Sequence, residues 1–523
     1  MKRYPRSCGV LLHLTSLPGQ HGSGDLGESA YHFVDWLAAA GQTLWQILPL
    51  VNIGPGSSPY MSNSAFAGNV LLINLEDLQE HGWLVEIDFR DSSMLDSRHI
   101  EFGKVIPYRM SRLAKAATHF DEHASPTDRA DFLAFCKKHA SWLEDYALFM
   151  ALSETTHGRD WCHWDVKLAT RNPNALKEAS VNNAERISFW KFCQWRFFDQ
   201  WAKLKAYANQ RGIRIIGDMP IFVAHNSVEA WARPDLFELD KQGRPTTIAG
   251  VPPDVFSKTG QRWGNPLYRW QEHEKEGFAW WIERIRNTFE LVDILRIDHF
   301  IGFVNYWEIP SSEPTAINGK WVAAPGDALF SAITKTLGTL PIIAEDLGNI
   351  TPAVENLRKK FKFPGMAILQ FAWGENGEKR FLPHNYSNDT VVYTGTHDND
   401  TIVSWWDSAT EEERHHLREY LATDGRTIQW DLIRVGMASV ADSVIFPLQD
   451  ILGLSTEHRM NFPGKGEGYW TWRFMWSDVP ADTADRLKHM SWLYGRKENS
   501  GHSENNISNS PPPSVPPPVG EGS

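Results

Sequence analysis

The sequence predicts an α/β protein: a closed (β/α)8 TIM barrel with large, mainly helical insertions after barrel strands. Three observations predict it. Eight short β-branched runs, each ending in polar or acidic residues, recur along the 523 residues. Most are followed by helical patterns, and strand-then-helix repetition argues for a parallel sheet that closes at eight strands. Hydrophobic residues make up 42% of the chain, enough for a large core and too many for a disordered protein.

In chain order, the first run is residues 9–14, Gly-Val-Leu-Leu-His-Leu. It is shorter than a signal peptide's apolar stretch of about 7–15 residues, so it reads as the first strand of a cytoplasmic protein. Residues 28–40 place Tyr31, Val34, Asp35 and Ala38 at helical spacing and stop at Gly41. The remaining strands read as 43–50, 213–219, 293–297, 341–344, 366–371, 391–394 and 443–447. The long gaps imply insertions at about 52–212 and 220–292, over the C-terminal mouth of the barrel where such loops carry function. In the first, Trp142, Tyr146, Phe149 and Met150 read as helical. Residues 187–210 form a helix aromatic on several faces, which must be buried on more than one side. The second contains Gly250-Val251-Pro252-Pro253-Asp254, Gly260 and Gly264-Asn265-Pro266, read as turns, neither helix nor strand. Residues 1–495 are expected to form the catalytic unit. Residues 496–523 are Ser/Asn/Gly-rich with six prolines between Pro511 and Pro518, and are expected to be a disordered tail.

Composition excludes several function classes. Lys+Arg less Asp+Glu is 52 − 64 = −12, with a sequence pI near 5.9, which argues against nucleic acid and basic membrane-surface partners. Four cysteines without a Cys-x-x-Cys make no disulfide scaffold, and no apolar run approaches the ~18 residues of a bilayer span. Gly22-Ser23-Gly24-Asp25-Leu26-Gly27 fits a dinucleotide fingerprint, but the next strand ends Leu48-Pro49-Leu50-Val51-Asn52 with no ribose-binding acid, and the turn before Gly22 is too slack. No cofactor is expected. Trp161-Cys162-His163 and Thr396-His397-Asp398 offer metal ligands without zinc spacing, so no metal is expected either. The 24 tryptophans could stack on sugar rings, though most should belong to the core.

The strongest signal is three acids at three strand ends. Asp298 closes the fourth strand, Glu345 closes the fifth, and Asp398 follows the seventh. In a barrel these ends converge on one mouth. Strand alternation puts Arg296 and Asp298 on the same side, where the arginine favours an ionised nucleophile. Glu345 then faces a like charge that raises its pKa, as a general acid needs. One ionised and one protonated carboxyl is the equipment for glycosidic bond cleavage. Asp346 and Asp400 read instead as helix-cap or solvated-loop residues.

With these motifs on the page, the chain resembles the 4-α-glucanotransferases, also called amylomaltases or disproportionating enzymes, of glycoside hydrolase family seventy-seven, relatives of the α-amylases. The resemblance runs from the first strand to about residue 495. It includes Leu17-Pro18-Gly19 with Gly24-Asp25-Leu26-Gly27, Ser58-Pro59-Tyr60, Ser64-Ala65-Phe66-Ala67-Gly68-Asn69, Gly217-Asp218-Met219-Pro220, Trp263-Gly264-Asn265-Pro266 and Arg459-Met460-Asn461, besides the three acidic stretches. It implies a barrel with no separate C-terminal β-domain. Asp298 would be the nucleophile, Glu345 the general acid/base and Asp398 the transition-state stabiliser. Arg296 would hold Asp298, while His299 and His397 would hydrogen-bond the sugar at the cleavage point. Tyr60 would be a stacking platform there, Asp218 a polar sugar contact, and Gln261, Trp263 and Asn265 part of a lid on the acceptor side. The implied partners are α-1,4-glucans and maltooligosaccharides, with glucose as acceptor and a monomeric protein. The chain departs from the family pattern at Val255, where relatives commonly carry Tyr, and at Met61 and Val70.

Three other functions fit parts of the pattern: a retaining α-glucan hydrolase of the α-amylase type using the same acids, a non-catalytic glucan-binding protein using the tryptophans, and a metal-dependent barrel hydrolase.

Overall fold

A computed structural model describes residues 6–253, 257–465 and 468–497. Among these the chain forms twelve strands: β1 (Ser7–Leu11), β2 (Leu44–Gln46), β3 (Arg214–Met219), β4 (Thr247–Val251), β5 (Gln261–Pro266), β6 (Ile294–Ile297), β7 (Asn305–Pro310), β8 (Lys320–Ala323), β9 (Ile342–Ala344), β10 (Gly365–Ile368), β11 (Thr390–Tyr393) and β12 (Ser443–Pro447). Eight of them pair in parallel in the order β10-β11-β12-β1-β2-β3-β6-β9. These eight correspond to the eight runs read from the sequence, and they make the (β/α)8 barrel. The sixth run is shorter than expected, because the chain turns into a single 3-10 turn at Leu369–Phe371.

The strands lie between the barrel interior and a shell of helices, so they carry continuous apolar runs rather than alternating ones. β1 is buried at every residue. Its Gly9 is required by packing, since a Cβ there would overlap the Leu44 carbonyl oxygen of β2. The barrel closes between β9 and β10. Ala344 N–H donates to Pro364 O at 2.9 Å. The Asp346 carboxylate accepts Met366 N–H at 2.7 Å and faces Arg358 at 3.3 Å. Asp346 is therefore structural, as expected, but it is a buried clasp at the seam, not a cap or a solvated residue.

The first insertion is helical, including Ala140–Thr155 and the long helix Ala184–Gln210. The latter buries Phe189, Trp190, Phe192, Trp195, Phe197 and Trp201. Two glutamines on it fasten the preceding loop to the barrel. Gln194 accepts Gly68 N–H at 2.7 Å and donates to Gly68 O at 2.9 Å. Gln200 does the same to Asn74, at 2.7 and 3.2 Å. Buried loop peptides thus find the partners they require.

The turn reading of residues 250–266 needs correction. Thr247–Val251 and Gln261–Pro266 are strands of a four-stranded antiparallel sheet, ordered β5-β4-β7-β8. Glycine and proline suggested turns, but Gly264 takes φ 84° inside β5 and the β4–β5 register shifts between Ile248 and Gly250. The segment is a distorted strand pair, where such residues mark irregularities. Val255 lies outside the described residues, as does the tail from residue 498.

The dinucleotide-like glycine motif has a structural role. Asp25 pairs with the buried Arg109 at 2.8 Å and accepts Gly27 N–H at 2.9 Å. At the other end of the chain, Arg496 is buried and donates to the carbonyls of Met437 (2.8 Å), Ser7 (3.1 Å) and Ala441 (3.1 Å), beside the start of β1. Among the described residues no helix is long and apolar enough to cross a membrane.

Candidate active site

β6 and β9 are hydrogen-bonded neighbours, with Ile297 paired to Ala344. The next residues, Asp298 and Glu345, therefore stand side by side at the C-terminal edge of the barrel. Main-chain bonds extend the ladder past the strands: Glu345 N–H donates to Ile297 O and Asp298 N–H to Met219 O, both at 3.0 Å.

The β3–β6 register pairs Asp218 with Arg296, and both side chains are buried. Arg296 Nη1 donates to Asp218 Oδ1 and Oδ2 at 2.7 Å each and to Asp298 Oδ1 at 3.0 Å. The expectation that Arg296 and Asp298 meet is correct, but Arg296 serves two aspartates. Burial opposes its charge, yet Asp218 and Asp298 hold Arg296 well above the ordinary arginine value. Burial raises the Asp218 carboxyl, and Arg296 pulls it back. Tyr60 Oη–H donates to Asp218 Oδ2 at 2.8 Å. Burial, then Asp218, pushes that phenol well above its usual range, so it remains a donor. Asp218 thus acts as a tie between Tyr60 and Arg296. The Tyr60 ring stacks on His397 at 5.2 Å between centroids and 14° between planes.

Glu345 is buried beside Asp298. Its oxygens accept His299 N–H at 2.7 Å and Leu347 N–H at 3.0 Å. Burial, and then the charge of Asp298, raise its pKa to about 8, against the pull of Arg296 and the two amides. The sequence anticipated the direction from the like charge, but burial is the larger cause. His299 reaches Glu345 because its backbone adopts a left-handed conformation, φ 52° and ψ 50°. Such strain in a non-glycine residue is characteristic of functional sites. Its ring meets Trp263 edge-on at 4.9 Å, and its buried Nε2 has no hydrogen-bond partner among the described residues. A buried polar atom of this kind usually has a partner.

Asp398 is held from outside the barrel wall. Asn461 Nδ2 donates to its Oδ1 at 2.6 Å, and Arg459 Nη2 donates to its carbonyl at 2.8 Å. Its side chain is 44% exposed, whereas that of Asp298 is 30% exposed. Both therefore open to a cleft of about 330 Å³ that is also lined by Tyr60, Gln261, Trp263, Asn265, His397, Phe462 and Trp470. Trp263 Nε1–H donates to Gln261 at 3.1 Å, so the two form one unit on β5. Asn265 is buried and donates to Val223 O at 2.9 Å, which anchors β5 to the loop after β3.

Of the residues expected from the sequence, Tyr60, Gln261, Trp263, Asn265, Asp298, His397 and Asp398 line one cleft, whereas Asp218, Arg296 and Glu345 are buried behind its wall and His299 does not line it. Several others were not identified as site residues: Asn461 and Arg459 on Asp398, Trp470 beside Tyr60 (5.7 Å), and buried His13, which burial and then His397 keep neutral with a pKa near 3. Arg459-Met460-Asn461 was legible as a motif, but its contact with Asp398 spans 63 residues of sequence. Among the described residues no three His, Cys, Asp or Glu side chains converge as a metal site. The arrangement supplies a buried carboxyl with a raised pKa beside an arginine-bonded carboxyl, with a third acid lining the same cleft.

Comparison with known proteins identifies the family to which this fold belongs. A family model described as 4-alpha-glucanotransferase, of glycoside hydrolase family 77, matches residues 12–478. The 4-alpha-glucanotransferase of Thermus thermophilus is 50% identical over 495 residues, 93% of this chain and 98% of that protein. That of Synechocystis sp. is 46% identical over 94% of this chain and 98% of its own. Among solved structures, amylomaltase from Streptococcus agalactiae in complex with acarbose superposes with a TM-score of 0.92 at 39% identity, covering 94% of this chain and all of that one. The barrel, the acids at its mouth and these likenesses together show that the chain belongs to the 4-alpha-glucanotransferase family, glycoside hydrolase family 77.

Proposed function

We propose that Asp298, Glu345 and Asp398 carry the transfer of α-1,4-glucan segments to the 4-hydroxyl of an acceptor glucan or glucose, through a covalent glucosyl-enzyme. The observation that carries the assignment is the adjacency of Asp298 and Glu345 at one strand register, with Glu345 raised to about 8. At neutral pH Glu345 holds a proton, and Asp298 accepts a hydrogen bond from Arg296.

Glu345 gives its proton to the glycosidic oxygen while Asp298 attacks the anomeric carbon. The C1–O bond breaks, and the fragment leaves with a new 4-hydroxyl. Glu345, now a carboxylate, takes the proton of an acceptor 4-hydroxyl, whose oxygen displaces Asp298 from C1. Two inversions retain the α configuration, which requires the two carboxyls to lie about 5–5.5 Å apart. Asp398 binds the 2- and 3-hydroxyls most tightly as the ring flattens. In this reading His299 and His397 hydrogen-bond the sugar at the cleavage point, and the Tyr60 ring, which stacks on His397, supplies an apolar face. Transfer in place of hydrolysis requires a held acceptor and excluded water. The β5 residues Gln261 and Trp263 form the wall where the acceptor docks. The four free cysteines fit a reducing, cytoplasmic compartment.

Incubation with maltotriose tests the assignment. Glucose together with oligosaccharides longer than maltotriose is the expected product pattern. Glucose and maltose alone would mean hydrolysis.

A further inference from the structure

The loop that carries His397 and Asp398 leaves β11 at Thr394 and ends where the helix Ile402–Ser408 begins. A single side chain grips both ends. Asp450, on the short helix Leu448–Leu452 after β12, accepts Thr394 Oγ1–H on Oδ2 at 2.6 Å and Ile402 N–H on Oδ1 at 2.8 Å. Asp450 is 1% exposed, and among the described residues no lysine, arginine or histidine pairs with it. An uncompensated buried carboxylate is costly, and burial pushes this one up to about 6. Both of its oxygens are committed to the loop, one to each end, and bonds to a carboxylate are the short, stiff kind. Within the loop, Asn399 Oδ1 accepts Thr396 N–H at 2.8 Å, and Asp398 N–H donates to Thr396 Oγ1 at 3.2 Å. The loop is thus braced internally and stapled across its base.

We propose that Asp450 is a positioning residue for the transfer reaction: it fixes the base of the 394–402 loop so that Asp398 meets the sugar hydroxyls in the transition state. The inference rests on the reading of Asp398 as the stabiliser. Asp450 touches no substrate, and its effect must pass through the loop.

The test uses the full chain and compares Asp450→Ala, Asp450→Asn, Thr394→Val and Asp398→Asn. Initial rates of glucose release from maltotriose give kcat and KM, and circular dichroism gives Tm. Misplacement by a fraction of an ångström to an ångström should lower kcat in Asp450→Ala by about 10- to 100-fold, with KM changed less than about twofold. Asp450→Asn keeps an acceptor for Ile402 N–H and should recover most of that loss. Wild-type kcat in Asp450→Ala, or a loss that Asp450→Asn fails to recover, overturns the proposal. If the alanine variant does not fold, Thr394→Val decides. It removes one of the two donors, so a several-fold lower kcat at unchanged KM supports the staple, and a wild-type kcat overturns it. Asp398→Asn separates the two claims. Full activity in it would remove the stabiliser reading itself, whereas an inactive Asp398→Asn beside a fully active Asp450→Ala would remove only the staple.

Discussion

At the scale of residues, the proposed chemistry turns on Glu345. Its carboxyl is raised from the model-compound value of 4.5 to about 8 by burial and by Asp298. Because an acid is needed for departure of the leaving group, kcat/KM should fall as pH rises through about 8. The same shift has a consequence for stability. Between pH 4.5 and about 8 the folded protein holds a proton at Glu345 that the unfolded chain has released. Wild-type stability, measured against Glu345→Gln by urea unfolding, should therefore decline across that window and level off above it. A difference that is flat with pH would contradict the assignment. Glu345→Gln should also lose about 10²- to 10⁴-fold in maltotriose turnover. The position of the three acids at the barrel mouth was legible in the sequence, since strand ends in a barrel share one mouth. The Tyr60–Asp218–Arg296 tie was not, because it joins residues 158 and 78 positions apart whose meeting depends on barrel register.

At the scale of elements, register places the site. Pairing of Ile297 with Ala344 and of Asp218 with Arg296 sets the acids and the arginine in one layer. A slip by one residue would turn each side chain to the opposite face. The seam between β9 and β10 is where this register is least reinforced by strand pairing, and Asp346 clasps it there. Asp346→Ala leaves the Met366 N–H without its acceptor and should cost about 1–3 kcal/mol in urea unfolding, whereas an unchanged midpoint would contradict the clasp. The eight barrel strands were legible because burial on both faces leaves uninterrupted apolar runs. The β5-β4-β7-β8 sheet was not. Its strand pair β4 and β5 carries the glycine and proline composition of turns, and its small core of Ile248, Ile309 and Ala316 is assembled from loops after two different barrel strands.

At the scale of the whole molecule, the insertions bring Tyr60 and Trp263 to the cleft that Asp298 and Asp398 line. The glutamine clamps of the Ala184–Gln210 helix fix one insertion, and Asn265 fixes the other. Arg496 binds the described end of the chain beside the start of β1, at the end of the barrel opposite the acids. A chain shortened to end at Lys497 should therefore match the full protein in Tm and in maltotriose turnover, and a lower value of either would assign the removed residues a role. The central claim is that the sugar becomes bonded to Asp298, and it is tested most directly by trapping. Glu345→Gln supplied with maltotriosyl fluoride, a donor whose leaving group needs no proton, should form the glucosyl-enzyme and then stall for want of a base. Mass spectrometry of the quenched protein and its peptides should find a maltotriosyl adduct on Asp298. Fluoride release without any adduct, or an adduct on another residue, would contradict the account.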